Sequence, residues 1–141
     1  GEAPSLLIAA LRDPDGANLD RIQVVKGWTN DDGSAAEQVY DVSWSGDRQK
    51  DAKGKVPAVG NTVDIETASY SNSIGAPILS GYWKDPDFDP DQLAFYYVRV
   101  LELPTPNWTT YDHVYLGVEL SKKAVAFSQE RAYTSPVWYT P

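Results

Sequence analysis

Four aspartates stand at alternate positions in the run Asp85-Pro86-Asp87-Phe88-Asp89-Pro90-Asp91. Calcium takes six to eight oxygen ligands, and clustered carboxylates can supply several of them. The spacing follows the first half of an EF-hand loop and then departs from it. The sixth position is Pro90, where glycine is needed, and the twelfth is Tyr96, where a bidentate glutamate belongs. The competing reading of Asp85, Asp87, Asp89 and Asp91 is a solvated, proline-stiffened loop that enters a strand. That reading is favoured, because Asp and Pro are common turn residues.

The one histidine, His113, follows Tyr111 and Asp112. A carboxylate that orients an imidazole would suit a general base. Sequence neighbours on a strand face opposite sides, however, so His113 reads as a surface loop residue. Arg99 is more informative, because it is a charge within an otherwise apolar strand face. Either its guanidinium pairs with a buried carboxylate, or that face meets a polar site or a partner; Glu102 and Arg131 are the expected structural partners. Structural pairing is favoured. Trp28, Trp44, Trp83, Trp108 and Trp138 are many for one small core, so some are expected to be exposed, ready to stack on a sugar ring or a neighbouring domain. No Gly-rich phosphate loop and no G-x-S-x-G elbow occurs. Carboxylate pairs of the glycosidase kind have no sequence signature, because separation in space defines them.

The elements that must position these residues are strands. Ser5–Leu11 is a continuous apolar run, which predicts a strand buried on both faces. Asp13-Pro14-Asp15-Gly16 predicts a turn in which Gly16 accepts a positive φ. Asp20–Trp28 alternates, with Ile22, Val24 and Trp28 on one side and Arg21 and Gln23 on the other. Asn30-Asp31-Asp32-Gly33 is a hairpin signal. Glu37–Trp44 pairs back, with Tyr40, Val42 and Trp44 on one face. Residues 45–61 are polar and predict a loop. Asn61–Ser69 and Pro77–Trp83 predict two further strands. Leu93–Leu103 is the longest β-run and has two apolar faces, as a central strand does. Pro104-Thr105-Pro106 is expected to end it. Thr109–Leu116 reads as a single helical turn, and Ser128–Tyr133 and Val137–Tyr139 as terminal strands. The fold class is therefore all-β: an antiparallel two-sheet sandwich, immunoglobulin-like, of about seven to nine short strands with at most short helical turns.

Composition narrows function. The chain has 141 residues, the length of a single domain. Such a domain buries roughly 68% of its unfolded surface and needs no metal or disulfide to hold a core. Seventeen aromatics argue against disorder. With no Cys, thiol catalysis, disulfides and iron–sulfur clusters are excluded. A net charge of −8 repels phosphate backbones, so nucleic acid is not an expected partner. No apolar run approaches the roughly 18 residues of a membrane helix, and membrane insertion is not expected. The chain also has no Met, so it reads as a processed or cloned piece of a longer protein, with Gly1 left by cloning.

Several runs carry a resemblance. They are Asp13-Pro-Asp-Gly-Ala-Asn-Leu-Asp-Arg-Ile-Gln-Val-Val-Lys-Gly-Trp28, Val39-Tyr-Asp-Val-Ser-Trp-Ser45, Ala94-Phe-Tyr-Tyr-Val-Arg-Val-Leu-Glu102 and Gln129-Glu-Arg-Ala-Tyr-Thr-Ser-Pro-Val-Trp-Tyr139. Across nearly the whole chain, from Ser5 onward, they resemble the C-terminal region of the DUF3604 family. Members are several times longer, and their N-terminal part looks like a PHP-type metal-dependent hydrolase whose His and Asp ligands lie upstream. The resemblance implies no cofactor in this fragment and a divalent metal in the N-terminal part. It implies the protein's own N-terminal catalytic domain as partner, and it favours the periplasm or the exterior. Where the family often has Arg before a Trp, this chain has Asn107. Two functions are expected to compete. One is a noncatalytic accessory domain that docks through the segment Arg99 to Asp112, with Arg99, Glu102, Trp108, Tyr111 and Asp112 as interface or substrate-proximal residues. The other is a carbohydrate- or calcium-binding module.

Overall fold

A computed structural model describes residues 1–141. Seven strands and one helix are arranged as β1 (Ser5–Leu11), β2 (Leu19–Thr29), β3 (Ala35–Trp44), β4 (Ile78–Lys84), β5 (Ala94–Pro106), α1 (Trp108–Leu116), β6 (Phe127–Tyr133) and β7 (Val137–Tyr139). β1 pairs only with β4, forming a small antiparallel sheet. The larger sheet runs β3-β2-β5-β6, and β7 joins the same edge of β5 beyond β6. The two sheets face each other, so the class is an all-β two-sheet sandwich.

The β2–β3 hairpin forms where expected, closed by Gly33 N donating to Asn30 O at 2.8 Å. β5 is central, as its two apolar faces predict. Val24 lies opposite Val98, and Lys26 opposite Tyr96. Leu6, Ile8 and Ala10 of β1 point inward, opposite Trp83, Gly81 and Leu79 of β4. They meet Ile22, Val24, Ala94 and Tyr96 in one core. Trp83 fills its centre, with ring centroids 5.2 Å from Tyr40 and 5.9 Å from Tyr96. The layers come close at Gly81, where an added Cβ would lie 2.9 Å from Val42 Cγ1.

A charge pair closes one end of this core. Lys26 shares the inward face of Ile22 and Val24, and its Nζ lies 2.7 Å from Asp85 Oδ2. Both side chains are almost wholly buried. Tyr96 Oη donates to the same carboxylate oxygen at 2.7 Å, and Lys26 Nζ also donates to Asp87 O at 2.7 Å. Tyr40 Oη donates to Asp87 Oδ2 at 2.8 Å. The loop from Asp85 to Asp91 is thereby fastened to the larger sheet.

Several expectations need correction. β1 is not buried on both faces: it has one strand neighbour, and its outward residues Leu7 and Leu11 are exposed. Asn61–Ser69 forms no strand. Only the bridge between Asp64 and Ser69 remains, closing a turn in which Asp64 Oδ1 accepts from Glu66 N at 2.9 Å. That side chain competes with a ladder for the backbone donors. β5 does not end before Pro104 but runs to Pro106. Prolines are tolerated at bulges and sheet edges. A bulge lies between Leu101 and Pro104, and pairing with β2 stops at Glu102. Gly16 closes its turn, its N donating to Asp13 O at 2.9 Å, without a positive φ. α1 spans nine residues rather than one turn. Asn107 caps its start, its side chain accepting from Trp108 N at 2.8 Å. Gly117, at φ 68°, ends it.

Removing one partner of a buried ion pair strands the other charge in the core. Lys26→Met is expected to cost about 3–5 kcal/mol in urea unfolding. The double variant Lys26→Met/Asp85→Asn should lose less than Lys26→Met alone, because no unpaired charge remains. Equal losses in the two would show that the pairing does not govern stability here.

Candidate functional site

The outer face of the larger sheet carries an unusual density of polar side chains, and two bulges place them there. β2 bulges between Leu19 and Arg21 against β5, and β3 bulges where Ile22 and Gln23 meet Ser43 and Asp41. Arg21, Gln23 and Asp41 then share the outward face with Arg99, Gln129 and Arg131. The second bulge also moves Trp44 away from the face of Tyr40 and Val42, where alternation predicts it. Trp44 now stands opposite Arg21.

These residues form a connected network. Arg99 Nε donates to Gln23 Oε1 at 2.8 Å, and Gln23 Nε2 donates to Asp41 Oδ1 at 2.7 Å. Asp41 Oδ2 accepts from Val56 N at 2.8 Å. Arg21 donates to Val56 O at 2.7 Å and to Pro57 O at 2.8 Å. Part of the 45–61 loop is thus held down on the sheet by side chains, and Val56 is buried beneath it. Asp20 is almost wholly buried. Its Oδ2 accepts from Arg21 Nε at 3.1 Å and from Gln129 Nε2 at 2.9 Å. Its Oδ1 lies 2.7 Å from Arg48 Nη1 as an ion pair but takes no aligned hydrogen bond. Arg48 turns that nitrogen to Pro57 O instead, at 2.9 Å.

Beside the network lies a cleft of about 220 Å³. Arg99, Arg131 and Gln129 form one wall, and Ala58, Val59 and Gly60 form another. Arg99 meets no carboxylate in ion-pair range, and neither does Arg131. The expected pairing of Arg99 with Glu102 or Arg131 is therefore corrected. Glu102 projects from the opposite face of β5, as the parity of adjacent strand residues requires. Burial raises its pKa, and the charges of Glu130 and Asp13 add to the rise.

A second concavity, apolar and about 520 Å³, opens at the other end of the same sheet. Trp28, Ala36, Leu93, Phe95 and Trp138 line it. The Phe95 ring occupies the space over Gly27, where an added Cβ would come 2.3 Å from its Cζ. Phe95 also stacks on Tyr97, with centroids 6.4 Å apart, and meets Trp138 in a tilted contact at 5.2 Å.

The remaining sequence candidates lie apart. Trp108 opens α1 and is exposed. Tyr111 stacks on Tyr115 with centroids 6.4 Å apart, and Asp112 is half-buried beside it. His113 is on the helix, not in a loop, and its Nδ1 lies 2.7 Å from Val118 O rather than against Asp112. The four aspartates do not converge. Asp85 is consumed by Lys26 and Tyr96, Asp87 by Tyr40, and Asp89 Oδ1 accepts from Asp91 N at 2.9 Å. No three His, Cys, Asp or Glu side chains gather as a metal-binding group. Burial, then the hydrogen bond and charge of the neighbouring aspartate, pushes the Tyr40 and Tyr96 hydroxyls upward, so both remain donors. Sequence reasoning missed Asp20, Asp41, Arg48 and the inward Lys26. The alternation of β2 places Lys26 with Ile22 and Val24, and that was the available signal. Nothing local in the sequence marks Arg48.

Fold and site together define a two-sheet β-sandwich with a polar cleft and an aromatic groove on one sheet and no metal-ligating cluster of its own. The chain belongs to the DUF3604 family, described as proteins of unknown function, whose family model matches residues 1–141. No curated protein and no solved structure matches it. No helix is long and apolar enough to cross a membrane.

Glu102 offers a test of the electrostatics. Its carboxyl binds a proton more tightly in the folded state than in the unfolded one. It therefore contributes least stability once the pH rises above the ordinary glutamate range and through its raised value. Glu102→Gln is expected to raise the urea midpoint at pH 7. The gain should vanish near pH 3, where the carboxyl is protonated in both states. A gain of equal size at both pH values would assign the effect to packing.

Proposed function

We propose that this chain is a noncatalytic β-sandwich module that packs on a larger, PHP-like, metal-dependent catalytic part of a DUF3604 protein. The observation that carries the reading is the outward face of the small sheet. Leu7 stands opposite Tyr82, and Leu11 opposite Ile78. Their exposures are 88%, 65%, 72% and 61%. Ala9 and Ser80 lie between the two pairs, and exposed large apolar side chains clustered on one face mark interaction surfaces. The sequence of β1 has the composition of a strand covered on both sides, and this sheet covers it on one. A docked domain would supply the missing layer. Interfaces between domains of one chain bury roughly 600–1,500 Å², which a sheet face of this kind can help to fill. The divalent metal and its His and Asp ligands belong, in this reading, to the other part. The segment Arg99 to Asp112 lies on the larger sheet and α1, and Trp108 and Tyr111 there are a second place for contact.

A second reading rests on the aromatic groove. Trp28, Phe95 and Trp138 line it together with Glu37 and Thr29, a mixture of aromatic and polar side chains that suits a sugar ring. Asp89 and Asp91, which no cation of the protein pairs with, are the calcium candidates left for this reading.

The separately expressed N-terminal part of a family member decides between them. Calorimetry should show it binding this chain, and Leu7→Glu/Tyr82→Glu should abolish the binding. Those two positions are exposed, so the isolated variant should unfold within about 0.5 kcal/mol of the parent per substitution. No association, together with full activity of the N-terminal part alone, would sink the docking reading. A melting midpoint raised by a glycan or by calcium, and reversed by EDTA in the latter case, would favour the second.

A further inference from the structure

The chain has five arginines, and four of them, Arg21, Arg48, Arg99 and Arg131, gather on the outer face of the larger sheet. Only two carboxylates, Asp20 and Asp41, neutralise them, and both pair with Arg21 or Arg48. In a protein of net charge −8, this leaves two unpaired positive charges beside one cleft. We propose that this cleft binds a small oxyanion, held by Arg99 and Arg131.

Arg99 is built for the task. Its Nε is fixed by Gln23, which is fixed in turn by Asp41, so the guanidinium plane is set before any ligand arrives. Gln23 and Asp41 are themselves buried. The two terminal nitrogens of Arg99 donate to no protein acceptor. They offer the planar fork that binds a carboxylate, sulfate or phosphate through two parallel hydrogen bonds. Arg131 lies opposite Leu101 on β6, one side-chain step along the same face, and also donates to nothing in the protein. Across the cleft, the backbone N–H groups of Ala58, Val59 and Gly60 have no protein acceptor either. Asp20 adds no free charge to oppose an anion, because Arg48 and Arg21 flank it.

The cleft also bounds the ligand. Its volume of about 220 Å³ is below the roughly 300 Å³ at which pockets for drug-sized ligands begin. A free inorganic oxyanion or a small carboxylic acid fits, and these share the same recognition by guanidinium. This proposal does not rest on the apolar face of the small sheet that carries the docking reading, since the cleft lies on the larger sheet.

The test is calorimetric titration of the whole chain with sodium sulfate, sodium phosphate and sodium malonate, each at constant ionic strength against sodium chloride. At least one oxyanion should bind saturably, and chloride should not; which one does so identifies the source. Arg99→Gln should weaken that binding about tenfold, the effect of losing one charge-assisted contact. Arg99→Lys should not restore it, because a lysine has no fork. Lys122→Gln, an exposed cation elsewhere, should change nothing. Sulfate stabilises most proteins by exclusion from their surfaces, so a rise in melting midpoint alone does not count. No saturable heat with any of the three anions, or an unchanged affinity in Arg99→Gln, overturns the proposal. If Arg99→Gln does not fold by circular dichroism, the exposed Arg131→Gln decides by the same criterion.

Discussion

β2 carries charges into places where water cannot follow, and the paths of two distant loops follow from that. Asp20, Arg21, Gln23 and Lys26 are all buried on this strand. An ion taken out of water costs several kcal/mol unless partners replace its hydration. Lys26 faces the core, and its partner comes from residues 85–87, which close one end of the sandwich. Arg21 faces the other way, and its partners are Asp20, Asp41 and the carbonyls of Val56 and Pro57. Neither loop belongs to a strand ladder where it makes these contacts. Each is placed by side chains of β2, so one strand organises the core on one face and the polar network on the other.

That arrangement explains which parts of the fold were legible in the sequence. Alternation reports which side of a strand is apolar, so β2, β3 and β5 could be read from Ile22, Val24, Tyr40 and Tyr96. It does not report bulges. The bulge at Val42 reverses the side of Trp44, and the bulge after Leu101 carries β5 through two prolines. Nor does alternation report pairing partners. Val63 and Ile65 alternate with Asp64 and Glu66 as a strand would, but Asp64 captures the backbone donors for a turn. The apolar run in β1 has the composition of an interior strand, which predicts burial on both faces. What it lacks is a second layer, and composition cannot say whether that layer lies in the same domain.

The site was legible only in part, for a related reason. Arg99 stood out because it interrupts an apolar face. Glu102 and Arg131 are the expected partners, yet strand residues an odd number apart, as Arg99 and Glu102 are, point to opposite sides of a sheet. The actual partner, Gln23, is neutral and lies directly across the ladder on β2. Glu102, left on the far side, is partly buried there beside Glu130 and Asp13, and burial above all raises its pKa. Arg48 was invisible for a different reason: it lies in a loop whose path is determined by contacts that sequence does not show.

The two sheets therefore differ in the surface they turn outward. The small sheet shows Leu7, Leu11, Ile78 and Tyr82, side chains that gain from being covered by any well-fitting apolar layer. The larger sheet shows arginines whose hydrogen-bonding directions are already set, beside an aromatic groove. Apolar coverage is tolerant of detail, whereas a guanidinium fork held by Gln23 and Asp41 is selective for planar or tetrahedral oxyanions. A sandwich separates such surfaces by the thickness of its core, roughly 10 Å between sheets. A partner layer on the small sheet would therefore leave the cleft at Arg99 open to solvent. It would also hold that cleft rigidly, because β2 and β5 contribute to both the shared core and the wall on which Arg99 and Gln23 sit.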